Sequence, residues 1–138
     1  MRLWSKDLIS VLPRQQLLSQ WRECCCIAKN ISDNGTPNHI LVNKILDYPL
    51  AHFVSYTMLV YNEMVNRGYK VDRNKFYERL PKYEPCNVSY DELYSHWHNK
   101  RYLKQCIFNL QEKADCGGVT LNEWSKIKDL VDKKGIEL

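Results

Sequence analysis

Two acid–base groups in the first part of the chain could do chemistry together. Glu23 closes the stretch Pro13-Arg14-Gln15-Gln16-Leu17-Leu18-Ser19-Gln20-Trp21-Arg22-Glu23. Pro13 suits the first position of a helix, where its missing N–H costs nothing. Leu17, Leu18, Trp21, Cys24, Cys25 and Ala28 then recur at three- and four-residue steps, so the stretch reads as an amphipathic helix with one buried stripe. Glu23 falls at the edge of that stripe, beside Arg22. The chain's first residue, Met1, is near enough in sequence for a short N-terminal arm to fold back and set its α-amine near the Glu23 carboxylate. An amine beside a carboxylate is either a catalytic pair or an ordinary ion pair, and these residues alone leave both open.

A second chemistry is suggested by the cations. Arg2, Lys6, Arg14, Arg22 and Lys29 face only Asp7 and Glu23 over the first thirty residues, which accounts for most of the formal charge of +4. Lys100, Arg101 and Lys104 form another group beside His96, Trp97, His98 and Tyr102. Cations meet phosphates and flat rings stack on or wedge between bases, so this interleaving suits a nucleic-acid surface. The competing reading is a solvated helix face with Trp97 in the core. The six cysteines, at 24, 25, 26, 86, 106 and 116, contain no C-x-x-C pair, and three adjacent cysteines on a helix point in three directions. They read as small buried hydrophobes. A zinc site from His96, His98 and Cys86 or Cys106 matches no usual ligand spacing, so no metal and no cofactor is expected.

The elements that must position these groups are helical. Ser5 can cap a short helix to about Leu12, and the helix from Pro13 should run to about Lys29. Asp33-Asn34-Gly35-Thr36-Pro37-Asn38 reads as a turn, and His39–Leu46 as a short apolar segment of ambiguous type. The longest helix is expected from Pro49 to Gly68. Its inward face would carry Leu50, Val54, Thr57, Tyr61, Met64 and Val65, widened by Phe53, Tyr56, Met58 and Val60. Asp72 can cap a helix Arg73–Leu80, ended by Pro81, with a loop to Val88. Ser89 to Glu92 has the form of a capping box. It would open one helix to about Lys113, or two with a break near His98-Asn99. Thr120 to Glu123 is a second box, opening a last helix that stops at Gly135.

No segment shows the alternation of a strand. The expectation is an all-α, single-domain helical bundle over residues 1–138 with a long central helix. A chain of 138 residues with 44% hydrophobic and 26% charged residues can bury a real core. The mild basicity permits an anionic partner without requiring one. No apolar run approaches the ~18 residues of a membrane span. The opening Met-Arg-Leu-Trp-Ser-Lys-Asp is interrupted by charge too early for a signal peptide, so a cytoplasmic location with no membrane contact is expected.

Leu12, Gln15, Leu17, Arg22 and Glu23, at these distances from the start and without a gap, resemble the pyrimidine-dimer DNA glycosylase (endonuclease V) family. A looser likeness covers Tyr48 to Tyr69, including Arg67-Gly68-Tyr69. Met1-Arg2-Leu3-Trp4, the run from Leu12 to Leu18, and Tyr102-Leu103-Lys104-Gln105-Cys106 look closer to a bacterial and phage branch of that family.

The resemblance implies an all-helical enzyme of DNA repair that needs no metal. Its amino-terminal α-amine attacks C1′ of a damaged nucleotide, expels the base as an imine forms, and cuts the backbone by β-elimination. An α-amine has a pKa near ~7.7–8.0 against ~10.4 for lysine, so much of it is neutral and nucleophilic at physiological pH. By this likeness Glu23 is the catalytic acid, and the amine belongs to Met1, or to Arg2 once Met1 is removed. Arg22, Arg14 and Gln15 would contact DNA, with Lys100 and Arg101 from the second basic group. The partner would be double-stranded DNA with a damaged or abasic site, bound by a monomer. The alternative is a non-catalytic DNA-binding module on the same fold. The chain departs from the family pattern where Arg2 replaces a threonine, Leu3 an arginine, Gln16 a histidine and Cys26 an arginine. A bulky Arg2 is expected to keep Met1 in place.

Overall fold

The computed structural model describes residues 1–80 and 87–138. Those residues form five α-helices and two 3-10 helices with no strand: α1 Arg14–Asn34, α2 Leu50–Asn66, α3 Asn74–Tyr77, α4 Lys100–Asp115 and α5 Leu121–Lys133. The 3-10 helices are Lys6–Val11, before α1, and Asn43–Asp47, before α2. One continuous apolar cluster runs from Leu3 and Trp4 in the arm through α1, α2 and α4 to Ile127 and Val131 of α5. Among the described residues no helix is long and apolar enough to cross a membrane.

α1 is built much as its stripe requires, but it is longer than its turn residues suggest. Pro13 stands at the N-cap with extended ψ, and Leu17 N–H reaches its carbonyl at 2.9 Å. The helix runs through Asp33 and Asn34, stopping only at Gly35. Gly35 adopts φ +75°, and its N–H closes on the Ile31 carbonyl at 2.8 Å. At 21 residues α1 exceeds the 17 of α2, so the longest helix is the first and not the second. α2 packs against α1 and both 3-10 helices. Its buried face is Phe53, Val54, Tyr56, Thr57, Val60 and Met64, rotated from the expected face so that Val65 is exposed and Leu50 and Tyr61 are half-buried.

The segment after Ser89 corrects a second expectation. Residues 90–97 form turns, not the start of a helix, and Glu92 N–H goes to the Ser89 carbonyl instead of completing a side-chain box. Tyr94 takes φ +47°, a left-handed conformation that no helix passes through. α4 therefore begins at Lys100, capped by Asn99, whose side chain accepts the Tyr102 N–H at 2.9 Å. α3 is a single turn, with Asp72 accepting the Asn74 N–H at 2.9 Å. The expected helix stop at Pro81, the second proline at Pro85 and the thiol of Cys86 lie outside the described residues.

The last helix matches its motif. Thr120 Oγ1 accepts the Glu123 N–H, and Glu123 Oε1 accepts the Thr120 N–H, each at 3.1 Å. The second carboxylate oxygen has another role: Glu123 Oε2 accepts the N–H of Arg14, the first residue of α1, at 2.8 Å. One side chain thus caps two helices. Burial pushes this carboxyl up, but the donors of Arg14 and Thr120 and the charge of Arg67 outweigh it and hold its pKa below the usual value.

Candidate active site

Three elements meet around a cleft of about 270 Å³. α1 contributes Gln15, Gln16, Ser19 and Glu23, which a helical period places on adjoining rows. The arm contributes Met1, Arg2 and Trp4, and α4 contributes Asn109 and Lys113, one turn apart. The arm is extended and firmly held. Leu3 and Trp4 are buried, and the Tyr102 hydroxyl donates to the Leu3 carbonyl. The Arg2 guanidinium sits 5.3 Å from the centre of the Trp4 ring.

The remaining ties converge on Gln20, whose side chain is fully buried. Its Oε1 accepts the Trp4 N–H at 2.8 Å, and its Nε2 donates to the Arg2 carbonyl at 3.0 Å and to Glu23 Oε2 at 3.2 Å. Behind it the Tyr56 hydroxyl of α2 faces the Trp4 carbonyl at 2.7 Å and Gln20 Oε1 at 2.9 Å.

Glu23 is half-buried, which pushes its carboxyl above the ordinary value. The chain's terminal amine, His39 and Arg22 pull the other way without cancelling the effect. Met1 and Glu23 line one cleft and the charge of the terminal amine reaches the carboxyl, yet the two are not a closed pair. Among the described residues the ion pair within 4.0 Å is Arg67–Glu63, at 2.7 Å. Gln16 Oε1 is buried at the same cleft with no hydrogen-bond partner among the described residues. This arrangement brings an amine and a carboxyl of raised pKa to one cleft, the groups that nucleophilic and acid–base chemistry use.

The other candidates divide. Met1, Arg2, Gln15 and Glu23 are together. Arg22 is exposed on the neighbouring face of α1, with Nη2 on Ser19 Oγ at 3.3 Å. Arg14 lines a different hollow, with Arg67, Glu123 and Lys126, and its Nε donates to the Tyr69 hydroxyl at 3.0 Å. Lys100 and Arg101 are exposed at the far end of α4, about 20 Å from Lys113 at the helical rise.

The rings beside them are not free to stack. Trp97 and His98 are buried and Tyr102 is largely covered. His98 Nδ1 accepts the Lys6 N–H at 3.0 Å, and burial lowers the His98 pKa to about 3. The reading of a solvated face with Trp97 in the core therefore holds for that segment.

Sequence reasoning missed Gln20, Asn109 and Lys113. Gln20 had a signal: it is a polar residue set among Leu17, Trp21 and Cys24 on an otherwise apolar stripe. Asn109 and Lys113 had none, because only the packing of the arm against α4 brings them to the cleft. Among the described residues no three His, Cys, Asp or Glu side chains converge as metal ligands would.

A family model described as pyrimidine dimer DNA glycosylase matches residues 1–77, which span the arm, α1, α2 and α3. No curated protein and no solved structure matches the chain. The match covers more than half of the sequence and contains the whole α1 side of the cleft, and so the chain belongs to the pyrimidine dimer DNA glycosylase family.

Proposed function

We propose that the protein is a DNA-repair glycosylase with AP-lyase activity on pyrimidine dimers or a related base lesion, working through an imine on its α-amine. The observation that supports this most directly is the shared cleft. Met1 and Glu23 line the same space, the charge of the terminal amine reaches the Glu23 carboxyl, and among the described residues no cation closes on Glu23. The amine nitrogen bonds to C1′ as the glycosidic C1′–N bond breaks, and the departing base takes a proton. The sugar ring opens to the imine, a C2′ proton is removed, and the 3′ C–O bond breaks with the phosphate as leaving group. Glu23 moves protons and stabilises the cationic imine. If Met1 is removed, the α-amine of Arg2 takes its place. Arg22 and Gln15 hold the strand at the cleft. Arg14, and Lys100 with Arg101 about six base pairs away, hold flanking duplex. The lesion weakens its own pairing, which lowers the cost of extruding a base.

Borohydride trapping on a duplex with one abasic site tests the chemistry without needing the preferred lesion. Free protein should form the reduced adduct, and protein acetylated at the terminus should not. Glu23→Gln should bind the duplex with little change and lose strand cutting. Cutting that survives Glu23→Gln sinks the assignment. An adduct with the blocked terminus assigns the nucleophile to a lysine, and Lys113 is the lysine that lines the cleft. DNA binding without any adduct leaves the non-catalytic module.

A further inference from the structure

We infer that Gln20 is a positioning residue that makes Glu23 a one-sided acid: it occupies Oε2, leaves Oε1 as the oxygen that exchanges a proton in the cleft, and fixes the arm carrying the amine with the same amide. This rests on the imine reading of the cleft and goes beyond it, since Gln20 touches no reacting atom.

The amide has no freedom to turn over. Its Oε1 faces the Trp4 N–H, which can only donate, and its Nε2 faces the Arg2 carbonyl, which can only accept. Exchanging oxygen and nitrogen would break both bonds, so the orientation follows from the backbone and not from a choice of labels. The second Nε2 hydrogen then has one partner, Glu23 Oε2 at 3.2 Å. Glu23 Oε1 has no hydrogen-bond partner among the described residues, and Glu23 lines the cleft. A carboxyl whose one oxygen accepts a fixed N–H takes its proton on the other. Gln20 thus selects the oxygen that faces substrate.

The arm obeys the same side chain. Arg2 and Trp4 are tied through their backbones to one buried amide, at 3.0 and 2.8 Å, with Leu3 buried between them. Moving Gln20 moves the amine and the carboxyl together, and a displacement near 1 Å is enough to cost a large factor in rate. Tyr56 supports this from α2, sharing its one hydroxyl proton between the Trp4 carbonyl and Gln20 Oε1. It steadies the amide without touching Glu23.

The charged groups around Glu23 come from every side. They are the terminal amine and Arg2 on the arm, Arg22 on its own helix, His39 ahead of the second 3-10 helix, and Lys113 on α4. All are cations or can become so, and none replaces a neutral donor at Oε2.

The test compares Gln20→Met with Tyr56→Phe. The Glu23 carboxyl is followed by 13C NMR titration, and adduct formation on abasic duplex is timed across pH. Gln20→Met should raise the Glu23 titration midpoint and carry up with it the limb of the trapping profile that Glu23 sets. It should also slow trapping roughly tenfold at neutral pH with little change in the duplex concentration needed for half-maximal rate. Tyr56→Phe should cost comparable thermal stability but leave the midpoint and the limb in place. Equal midpoints in wild type and Gln20→Met, or the same shift in both variants, overturn the inference.

Should Gln20→Met fail to fold, wild type decides. The Gln20 side-chain NH2 signals must shift with the Glu23 midpoint, and signals indifferent to Glu23 refute the contact. If wild type forms no adduct the imine reading falls, while the NMR titration still judges the Gln20 to Glu23 hold.

Discussion

A carboxyl half-buried with no cation within 4.0 Å among the described residues burdens the folded state at neutral pH, and Glu23 is in that position. Its pKa is raised on folding, so between the unfolded and folded values the native protein binds more protons than the unfolded chain. Stability therefore falls as pH rises through that window. The amide of Glu23→Gln has the same shape, can still accept from Gln20 Nε2, and carries no charge. We expect this variant to melt a few degrees higher than wild type at pH 7–8. The gain should vanish below about pH 4, where Glu23 is protonated in both states. Calorimetry across pH reads the difference directly; a variant that melts lower at neutral pH would show that the charged form is stabilised by folding. Glu23 and Arg22 were legible as candidates because their side chains lie on a helix that the sequence announces. Gln20 was overlooked because a lone polar residue on an apolar stripe gives no hint of its partners. Three of its four contacts lie on the arm or on α2, far from it in sequence.

Helices with local signals were read well, and those held by distant contacts were not. The Thr120 box opens α5 as its sequence demands, because both halves of that motif lie within four residues. The matching pattern at Ser89 forms no box, since the ring of Tyr94 is captured from outside. It packs against Tyr48, His52, Trp97 and His98, and that packing sustains a left-handed tyrosine that local preference opposes. His98 binds this segment to the first 3-10 helix through the Lys6 N–H. Its pKa falls to about 3 on burial, so unfolding at acid pH releases a group that gains a proton. Stability is complete above about pH 6.5 and drains as pH falls toward 3. His98→Asn keeps an acceptor for Lys6 and cannot titrate. Urea melts between pH 7 and pH 4 should show a shallower pH slope for this variant than for wild type; equal slopes would mean that His98 is protonated in the fold.

At the scale of the molecule, the cleft is shared between the part that matches the family and the part that does not. Residues 1–77 bring Glu23 and the amine, and α4 brings Asn109 and Lys113 and pins the arm through Tyr102. A basic chain that meets phosphates releases counterions, so its affinity for duplex should fall steeply with salt. Anisotropy titrations on an abasic duplex should show the slope reduced by about one in each of Arg22→Ala and Lys113→Ala, and unchanged in Glu23→Gln. A Lys113→Ala slope equal to wild type would remove Lys113 from the contact. The doubled cap at Glu123 links the same two parts, and it does so through a single titrating oxygen pair. Protonating that carboxyl puts a hydrogen on one of the two oxygens and removes the charge from both, so the holds on the amides of Arg14 and Thr120 weaken in one event. Their hydrogen-exchange rates should therefore rise along a common acid titration curve, so that the first turn of the helix bearing Glu23 and the first turn of the last helix loosen in step.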